Sequence, residues 1–262
     1  MVTTADRPTP SLFEGTAAAV LDRSAAALGQ QPIAPLAPAV VPPHVALRRS
    51  RIGEYVALAG LTGFGALFAL VKLGRTAAFD AALTLRIQGR RHRTVDALMA
   101  AASWPGFPPQ SRMIPPTIIG ALFASGLRLE AVAETVAWGS ALVSTVAKGF
   151  MGRARPVAGT DLRVVAAPLG GSSFPSGHVL TFVGTYGFLA FLADALVRPE
   201  LARRAIVIGL VTLIAVVGPS RIQQGHHWPT DVTASYLLGT SYLIGVIALY
   251  RAMKVRSVSS PA

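Results

Sequence analysis

The sequence has no cysteine among its 262 residues, which excludes disulfide bonds, zinc–thiolate sites and thiol catalysis. Charge is also scarce, because Asp, Glu, Lys and Arg make up 14% of the residues and hydrophobic residues make up 52%. Acidic side chains are the rarer kind, at 12 against 24 basic ones, and the formal net charge is +12. Lysine is limited to Lys72, Lys148 and Lys254. A lysine within a motif is therefore more informative here than usual.

Long apolar runs separated by short polar links are typical of an integral helical membrane protein. A soluble all-α core is the alternative, but it would need polar faces at helical period, and the runs 55–71, 205–219 and 232–250 lack them. The candidate spanning segments are 53–73, 112–127, 129–149, 179–197, 204–219 and 232–250. The sequence therefore predicts an all-α, integral membrane helical bundle of about six transmembrane helices.

The chain divides at about residue 48. Residues 1–47 are rich in Ala, Pro and Thr and are predicted to form a flexible tail, without the basic start and apolar run of a cleavable signal peptide. Residues 48–256 are predicted to form the membrane-embedded domain. Its first connection, 74–111, is long and contains an amphipathic stretch at 79–87, which predicts an interfacial helix lying along the membrane surface.

The basic residues flank apolar segments instead of lining a polar face. Attraction to anionic headgroups and phosphate substrates explains such an excess better than nucleic acid binding does. Six spans would place three basic groups on one side, which the positive-inside tendency makes cytoplasmic: Arg48, Arg49 and Arg51; Arg198, Arg203 and Arg204; Arg251, Lys254 and Arg256. The basic cluster at 90–93 falls on the other side and conflicts with this orientation, but it is outnumbered.

Two short motifs place polar groups at the ends of apolar segments. Lys148, Arg155 and Pro156 form K-x6-R-P after the third segment, a pattern that membrane-anchoring cations could also produce. The P-S-G-H motif, Pro175 to His178, opens the fourth segment, where a helix N-terminus offers free N–H groups to an anion. Ser176 could cap that helix and donate to a phosphate, and Gly177 would let a backbone amide approach closely. The alternative is an ordinary cap with a surface histidine.

The third motif, S-R-x5-H-x3-D, comprises Ser220, Arg221, His227 and Asp231. A carboxylate one helical turn from His227 can hydrogen-bond one ring nitrogen, which fixes the tautomer and leaves the other nitrogen free as a nucleophile. His226 is a rival that does not match the motif spacing, and we interpret it as a supporting residue. His226, His227 and Asp231 could instead bind a metal, but no further His or Glu cluster completes such a site.

In their order, spacing and membrane setting, the three motifs resemble the type 2 phosphatidic acid phosphatase superfamily. The resemblance covers roughly residues 90–250, where every motif position is matched, and does not cover the first fifty residues. It implies a phosphohistidine mechanism in which His227 attacks phosphorus, Asp231 holds its ring and His178 acts as general acid and base. The implied phosphate-binding residues are Lys148, Arg155, Ser176, Gly177 and Arg221. Three fixed cations make a metal or other cofactor unnecessary.

The membrane setting favours a lipid substrate, because its tail can stay in hydrocarbon while its phosphate enters the site. Members of this superfamily act on phosphatidate, phosphatidylglycerol phosphate and polyprenyl diphosphates. An outward-facing site and the Arg-rich, Lys-poor composition favour a bacterial plasma membrane enzyme for a lipid phosphate or undecaprenyl diphosphate. Two alternatives remain: a vanadate-dependent haloperoxidase, which the six spans oppose, and a non-catalytic lipid or anion binding or transport protein, which would need no oriented nucleophile.

Overall fold

The computed structural model describes residues 43–89, 92–157, 162–165 and 170–259, and their regular structure is entirely helical. A 3₁₀ turn, Trp104–Gly106, lies between the third and fourth helices. The helices are α1 (Pro43–Lys72), α2 (Ala77–Gln88), α3 (Arg93–Ser103), α4 (Gln110–Ala124), α5 (Arg128–Trp138), α6 (Ser140–Met151), α7 (Gly177–Leu196), α8 (Glu200–Gln223) and α9 (Pro229–Ser259).

Four of these helices are long and apolar enough to cross a membrane: Arg51–Lys72 within α1, α7, α8, and Pro229–Arg256 within α9. The protein is therefore an integral membrane protein with an all-α fold, as the sequence predicts. The second and third predicted spans correspond to α4, with 15 residues, and to α5 and α6, with 11 and 12. Each is shorter than the roughly 20 residues that a helix needs to cross the hydrocarbon core. The total of six spans thus stays a prediction.

Several boundaries differ from those predicted. Helix α1 begins at Pro43, within the predicted tail, whereas the span was expected from residue 53. The third span is divided at Gly139, where an added Cβ would lie 2.8 Å from the carbonyl oxygen of Val136. The rest of the predicted tail, 1–42, lies outside the described residues, as do Arg90 and Arg91 of the basic cluster.

Helix α7 is the centre of the bundle. In the most apolar stretch of α7, 61% of the residues are buried, whereas in the corresponding stretch of α1 only 11% are. Val179, Phe182 and Val183 of α7 pack with Val217 of α8 and Val232 of α9 in the main hydrophobic cluster. The central position of α7 matters for the site, because its first residues belong to the P-S-G-H motif.

Helix α2 confirms the helix predicted at 79–87, but its polar side faces the protein. Asp80, Thr84 and Gln88 recur every four residues and are buried, whereas Phe79 and Leu85 are exposed. Residues four apart share one face of a helix. The buried face of α2 is therefore polar, and it packs against the loops that carry the motifs. Its position at the membrane surface stays a prediction.

Candidate active site

Helix ends that are distant in sequence meet at one cavity of about 410 Å³. The end of α6, the following loop, the start of α7 and the loop between α8 and α9 each contribute to its wall. Five of the eight residues predicted for the site line this cavity: Lys148, Arg155, Gly177, His178 and His227. The volume falls in the range of small-molecule sites. The aromatic side chains of Trp138, Phe182 and Tyr186 line another part of the wall.

Arg155 reaches back to the site from the loop after α6, as predicted. Gly152 ends the helix in the left-handed conformation, at φ +63°, which glycine adopts without strain. The Arg155 guanidinium then donates to the carbonyl oxygen of His226 at 2.9 Å and lies 3.3 Å from Nε2 of His227. Burial lowers the pKa of Arg155 from its ordinary value, but a guanidinium still stays protonated.

His227 is held with one ring nitrogen protonated and the other turned to the cavity. Its Nδ1 lies 2.7 Å from the carbonyl oxygen of Ser173, which can only accept, so Nδ1 carries the proton. Nε2 is left with a lone pair beside Arg155. Burial lowers the pKa of the ring from 6.5 to about 4, against the opposing effect of Asp231. The ring is therefore neutral at pH 7, as a nucleophile must be.

Asp231 supports His227 less directly than the sequence predicts. Its Oδ2 lies 3.6 Å from Nδ1, within ion-pair range but beyond a hydrogen bond, and it accepts from the backbone N–H of Trp228 at 2.9 Å. The prediction assumed one helical turn from His227 to Asp231. Helix α9 begins only at Pro229, so His227 precedes it and helical spacing does not apply. The Ser173 carbonyl takes the hydrogen bond instead.

Ser176 does not cap α7 with its side chain, contrary to the prediction. It occupies the N-cap position without a side-chain cap bond, and its backbone N–H donates to Oγ of Ser235 at 2.7 Å. A Cβ at Gly177 would lie 3.5 Å from Nζ of Lys148 and 3.3 Å from Oγ of Ser144, so the Lys148 ammonium lies beside the helix N-terminus. The approach of the Gly177 amide to an anion stays a prediction.

Arg221 lies behind the cavity wall and not on it. Its side chain is fully buried, donates to Oε1 of Gln224 at 2.8 Å and contacts Nδ1 of His226. The guanidinium carbon also lies 4.7 Å from the centre of the Phe107 ring. Among the described residues, Arg221 and Ser176 are thus close to the site without lining it. Their contact with phosphate stays a prediction.

Two residues of the W-P-G-F turn contact His178, a role that the sequence analysis missed. A Cβ on Gly106 would lie 2.2 Å from Cδ2 of His178, so the ring packs against bare backbone. Phe107 meets the same ring edge to face, with 4.8 Å between ring centres. The turn was visible as a Pro-rich segment, but nothing local connects it with a histidine about seventy residues later.

The described part of the chain contains no group of three or more His, Asp or Glu side chains placed to hold a metal ion. In the set considered from sequence, Nδ1 of His226 contacts Arg221, and Nδ1 of His227 faces the Ser173 carbonyl. Asp231 accepts from Trp228 and Arg153. These three side chains are directed at protein partners, which makes them a poor ligand set.

Known proteins include some that are similar to this chain. The family model of the PAP2 superfamily matches residues 131–254, which include all three motifs. A solved transmembrane PAP2-type phosphatidylglycerolphosphate phosphatase from Bacillus subtilis is 21% identical with a TM-score of 0.66, over 76% of this chain and 97% of its own. Aquifex aeolicus LpxE is 24% identical with a TM-score of 0.49, over 65% of this chain and 94% of its own. No curated protein matches the sequence.

Proposed function

We propose that this chain, whose residues 131–254 match the family model of the PAP2 superfamily and which has four helices long and apolar enough to cross a membrane, removes phosphate from a lipid through a phosphohistidine. The observation that carries this proposal is the protonation state of the His227 ring. A neutral ring with Nδ1 protonated leaves Nε2 open to the cavity, 3.3 Å from the Arg155 guanidinium. An imidazole so placed can attack a phosphorus held by neighbouring cations.

In the first step, Nε2 of His227 forms a bond to phosphorus as the bond from phosphorus to the leaving oxygen breaks. Lys148 and Arg155 neutralise the non-bridging oxygens, which is the main requirement of phosphoryl transfer. The Gly177 amide at the start of α7 adds a donor and a positive dipole end. His178 gives a proton to the leaving oxygen, which departs as the lipid alcohol or, from a diphosphate, as the lipid monophosphate.

In the second step, His178 takes a proton from water as the water oxygen attacks phosphorus. The phosphorus–nitrogen bond breaks, inorganic phosphate leaves and His227 returns to its neutral form. Nε2 of His178 is buried without a hydrogen-bond partner among the described residues, so its lone pair or proton is free for substrate. Two fixed cations on the wall and Arg221 behind it supply the positive charge, and we propose that no metal ion takes part.

The substrate we propose is a bacterial membrane lipid phosphate, with phosphatidate, phosphatidylglycerol phosphate and undecaprenyl diphosphate as the candidates. The Bacillus subtilis protein with the similar fold is a phosphatidylglycerolphosphate phosphatase, which makes that lipid the first to test. We further propose that the site faces the outer side of the plasma membrane. The reason is that Arg198, just beyond the end of α7, and the basic residues near the end of α9 lie at the other ends of helices that begin at the site.

Phosphate release by the purified protein in detergent, from a panel of these lipids, tests the function. We expect release to survive excess EDTA and to fall to background in His227→Asn. In His178→Asn it should fall by about 10²- to 10⁴-fold. His92→Gln is the matched control, because His92 is exposed and distant in sequence from the motifs, and it should keep wild-type activity.

Trapping the intermediate tests the mechanism separately. Brief reaction with a lipid labelled at its phosphate should leave acid-labile, base-stable label on the wild type and none on His227→Asn. Activity that EDTA abolishes, or label that persists in His227→Asn, would contradict the proposal. Halide oxidation by the vanadate-loaded protein in place of phosphate release would favour the haloperoxidase alternative.

A further inference from the structure

A buried network behind His227 contains two residues that the mechanism above does not use. Arg153 precedes Arg155 by two positions, but its side chain turns away from the cavity and is 13% exposed. One of its terminal nitrogens contacts Oδ1 of Asp231, and the other lies 2.6 Å from Oδ2 of Asp80. A single guanidinium thus connects two buried carboxylates.

Asp80 is fully enclosed and has a second set of partners at the start of α9. It accepts from the backbone N–H of Thr230 at 2.9 Å and from the Thr230 hydroxyl at 2.8 Å. Arg153 also donates to that hydroxyl, at 2.9 Å. Thr230 immediately precedes Asp231. Asp80 therefore holds both the Arg153 guanidinium and the backbone next to Asp231.

Arg153 also acts through its main chain on the other partner of the His227 ring. Its carbonyl oxygen accepts from the N–H of Ser173 at 2.8 Å, and its N–H donates to Oγ of Ser172 at 3.1 Å. The Ser173 carbonyl is the group that accepts from Nδ1 of His227. Arg153 therefore holds both groups that lie against Nδ1, one by its side chain and one by its backbone.

We propose that Arg153 and Asp80 are a pair of positioning residues that keep His227 in its Nδ1-protonated form with Nε2 aimed at the substrate. This inference rests on the proposed function for its kinetic consequences. Arginine suits the position because its planar fork presents two ends to two carboxylates, whereas the ammonium of lysine is a single point charge. Asp80 suits its position because one carboxylate accepts from Arg153 and Thr230 together.

The kinetic test compares Arg153→Lys and Asp80→Asn with wild type in the full-length protein. Lost supporting contacts of this kind typically cost about 10- to 100-fold in activity. We expect kcat to fall by that factor. Affinity for inorganic phosphate, which binds without a bond to His227 and so reports on the phosphate-binding cations alone, should stay within about threefold of wild type, because its expected ligands Lys148 and Arg155 are unchanged.

Arg163→Lys is the matched control. Arg163 is also a loop arginine paired with a carboxylate of the 74–111 connection, at 3.1 and 3.2 Å from the two oxygens of Asp96. Its guanidinium does not contact Asp231, and kcat should be unchanged. Values of kcat within twofold of wild type for both Arg153→Lys and Asp80→Asn would overturn the proposal, and so would a parallel loss of affinity for inorganic phosphate.

The double variant Arg153→Lys/Asp80→Asn tests whether the two residues act as one unit. Residues in one network show strong coupling, whereas independent residues have additive effects. We expect the double variant to be no less active than the less active of the two single variants. Losses that multiply would contradict a joint role. Melting temperature and elution volume, measured for each variant, exclude those that fail to fold.

The ring of His227 gives a measurement that needs no turnover. In protein labelled with ¹⁵N-histidine at pH 7, wild-type His227, assigned by its disappearance in His227→Asn, should show a protonated Nδ1 and a bare Nε2. Arg153→Lys should show a mixture of tautomers. An unchanged tautomer in Arg153→Lys would overturn the positioning role. If wild type hydrolyses no lipid phosphate, the proposed function fails but this measurement still decides the inference.

Discussion

Each nitrogen of the His227 ring has its own neighbour, and these two neighbours determine which nitrogen carries the proton. The carbonyl oxygen of Ser173 accepts from Nδ1, while Arg155 faces Nε2. Burial adds a third influence, because taking an imidazolium out of water is unfavourable. The result is a neutral ring, although a carboxylate lies 3.6 Å from it. Desolvation outweighs the attraction of Asp231.

This state makes stability depend on pH. The folded pKa of His227 is about 4, below the ordinary 6.5. As pH falls from 6.5 towards 4, the unfolded chain therefore gains a proton here that the folded protein does not. Unfolding free energy should decline by about 1.4 kcal/mol per pH unit from this residue, about 3 kcal/mol in all. Stability from the neutral ring is fully present above pH 6.5 and lost on acidification.

Unfolding in detergent between pH 4 and 7, compared between wild type and His227→Gln, isolates this contribution, because other groups titrate in both proteins. The wild-type curve should be steeper by the stated amount. Equal slopes in the two proteins would mean that His227 is protonated in the folded state near its ordinary pKa, which would contradict the buried, neutral ring.

At the level of helices and turns, the site is held by contacts between segments that are distant in sequence. Lys72, the last residue of α1, donates to the carbonyl oxygens of Phe150 and Met151 at 3.0 and 3.3 Å and so caps α6 just before the loop of Arg153 and Arg155. The α3–α4 turn packs Gly106 and Phe107 against His178. These segments position side chains without taking part in the chemistry.

Gly106→Ala should therefore reduce activity without unfolding the protein. The new methyl group would overlap the His178 ring, since its Cβ would lie 2.2 Å from Cδ2, and the ring must move. A displacement of about 1 Å can cost about 10²-fold in rate, and we expect a loss of that order in kcat. Gly120→Ala is the control, because nothing lies within 4 Å of its Cβ. Equal activity of the two variants would contradict a close packing of His178 on the turn.

Across the protein as a whole, the four motif-bearing helix ends lie together, and arginines lie just beyond the other end of α7 and near the other end of α9. A helix of 20 residues such as α7 is roughly 30 Å long, which matches the hydrocarbon thickness. Arg198 just beyond α7 and Arg251 near the end of α9 are thus separated from the cavity by about one membrane core. This separation is the basis of the outward orientation proposed for the site.

The absence of cysteine allows a direct test of that orientation. A single cysteine at Val157, which is 73% exposed beside Pro156, should react with a membrane-impermeant maleimide on intact cells. A single cysteine at Leu201, the second residue of α8, which is 84% exposed, should react only after permeabilisation. The cysteine-free parent gives the background. The reverse pattern would place the site on the cytoplasmic side.

Much of the fold follows from properties that act locally. Apolar runs of the right length predict α7, α8 and α9 because a bilayer demands internally satisfied backbone over about 20 residues. Motif spacing likewise identified Lys148, Arg155, Gly177, His178 and His227, which line one cavity. The break at Gly139 and the early start of α1 were not predicted. At Gly139 an added Cβ would lie 3.0 Å from the Tyr242 hydroxyl of α9, a contact between segments about a hundred residues apart.

By itself, the sequence determined that this protein is helical, membrane-embedded and equipped with a histidine and several cations near helix ends, since composition and hydrophobic length act along the chain. Only the tertiary structure decided what each group touches. In the folded protein, Nδ1 of His227 donates to the Ser173 carbonyl and not to Asp231, and Arg221 lies behind the cavity wall. Arg153 joins Asp80 to Asp231. The physical reason is that a hydrogen bond depends on distance and direction in space, which separation along the chain does not specify.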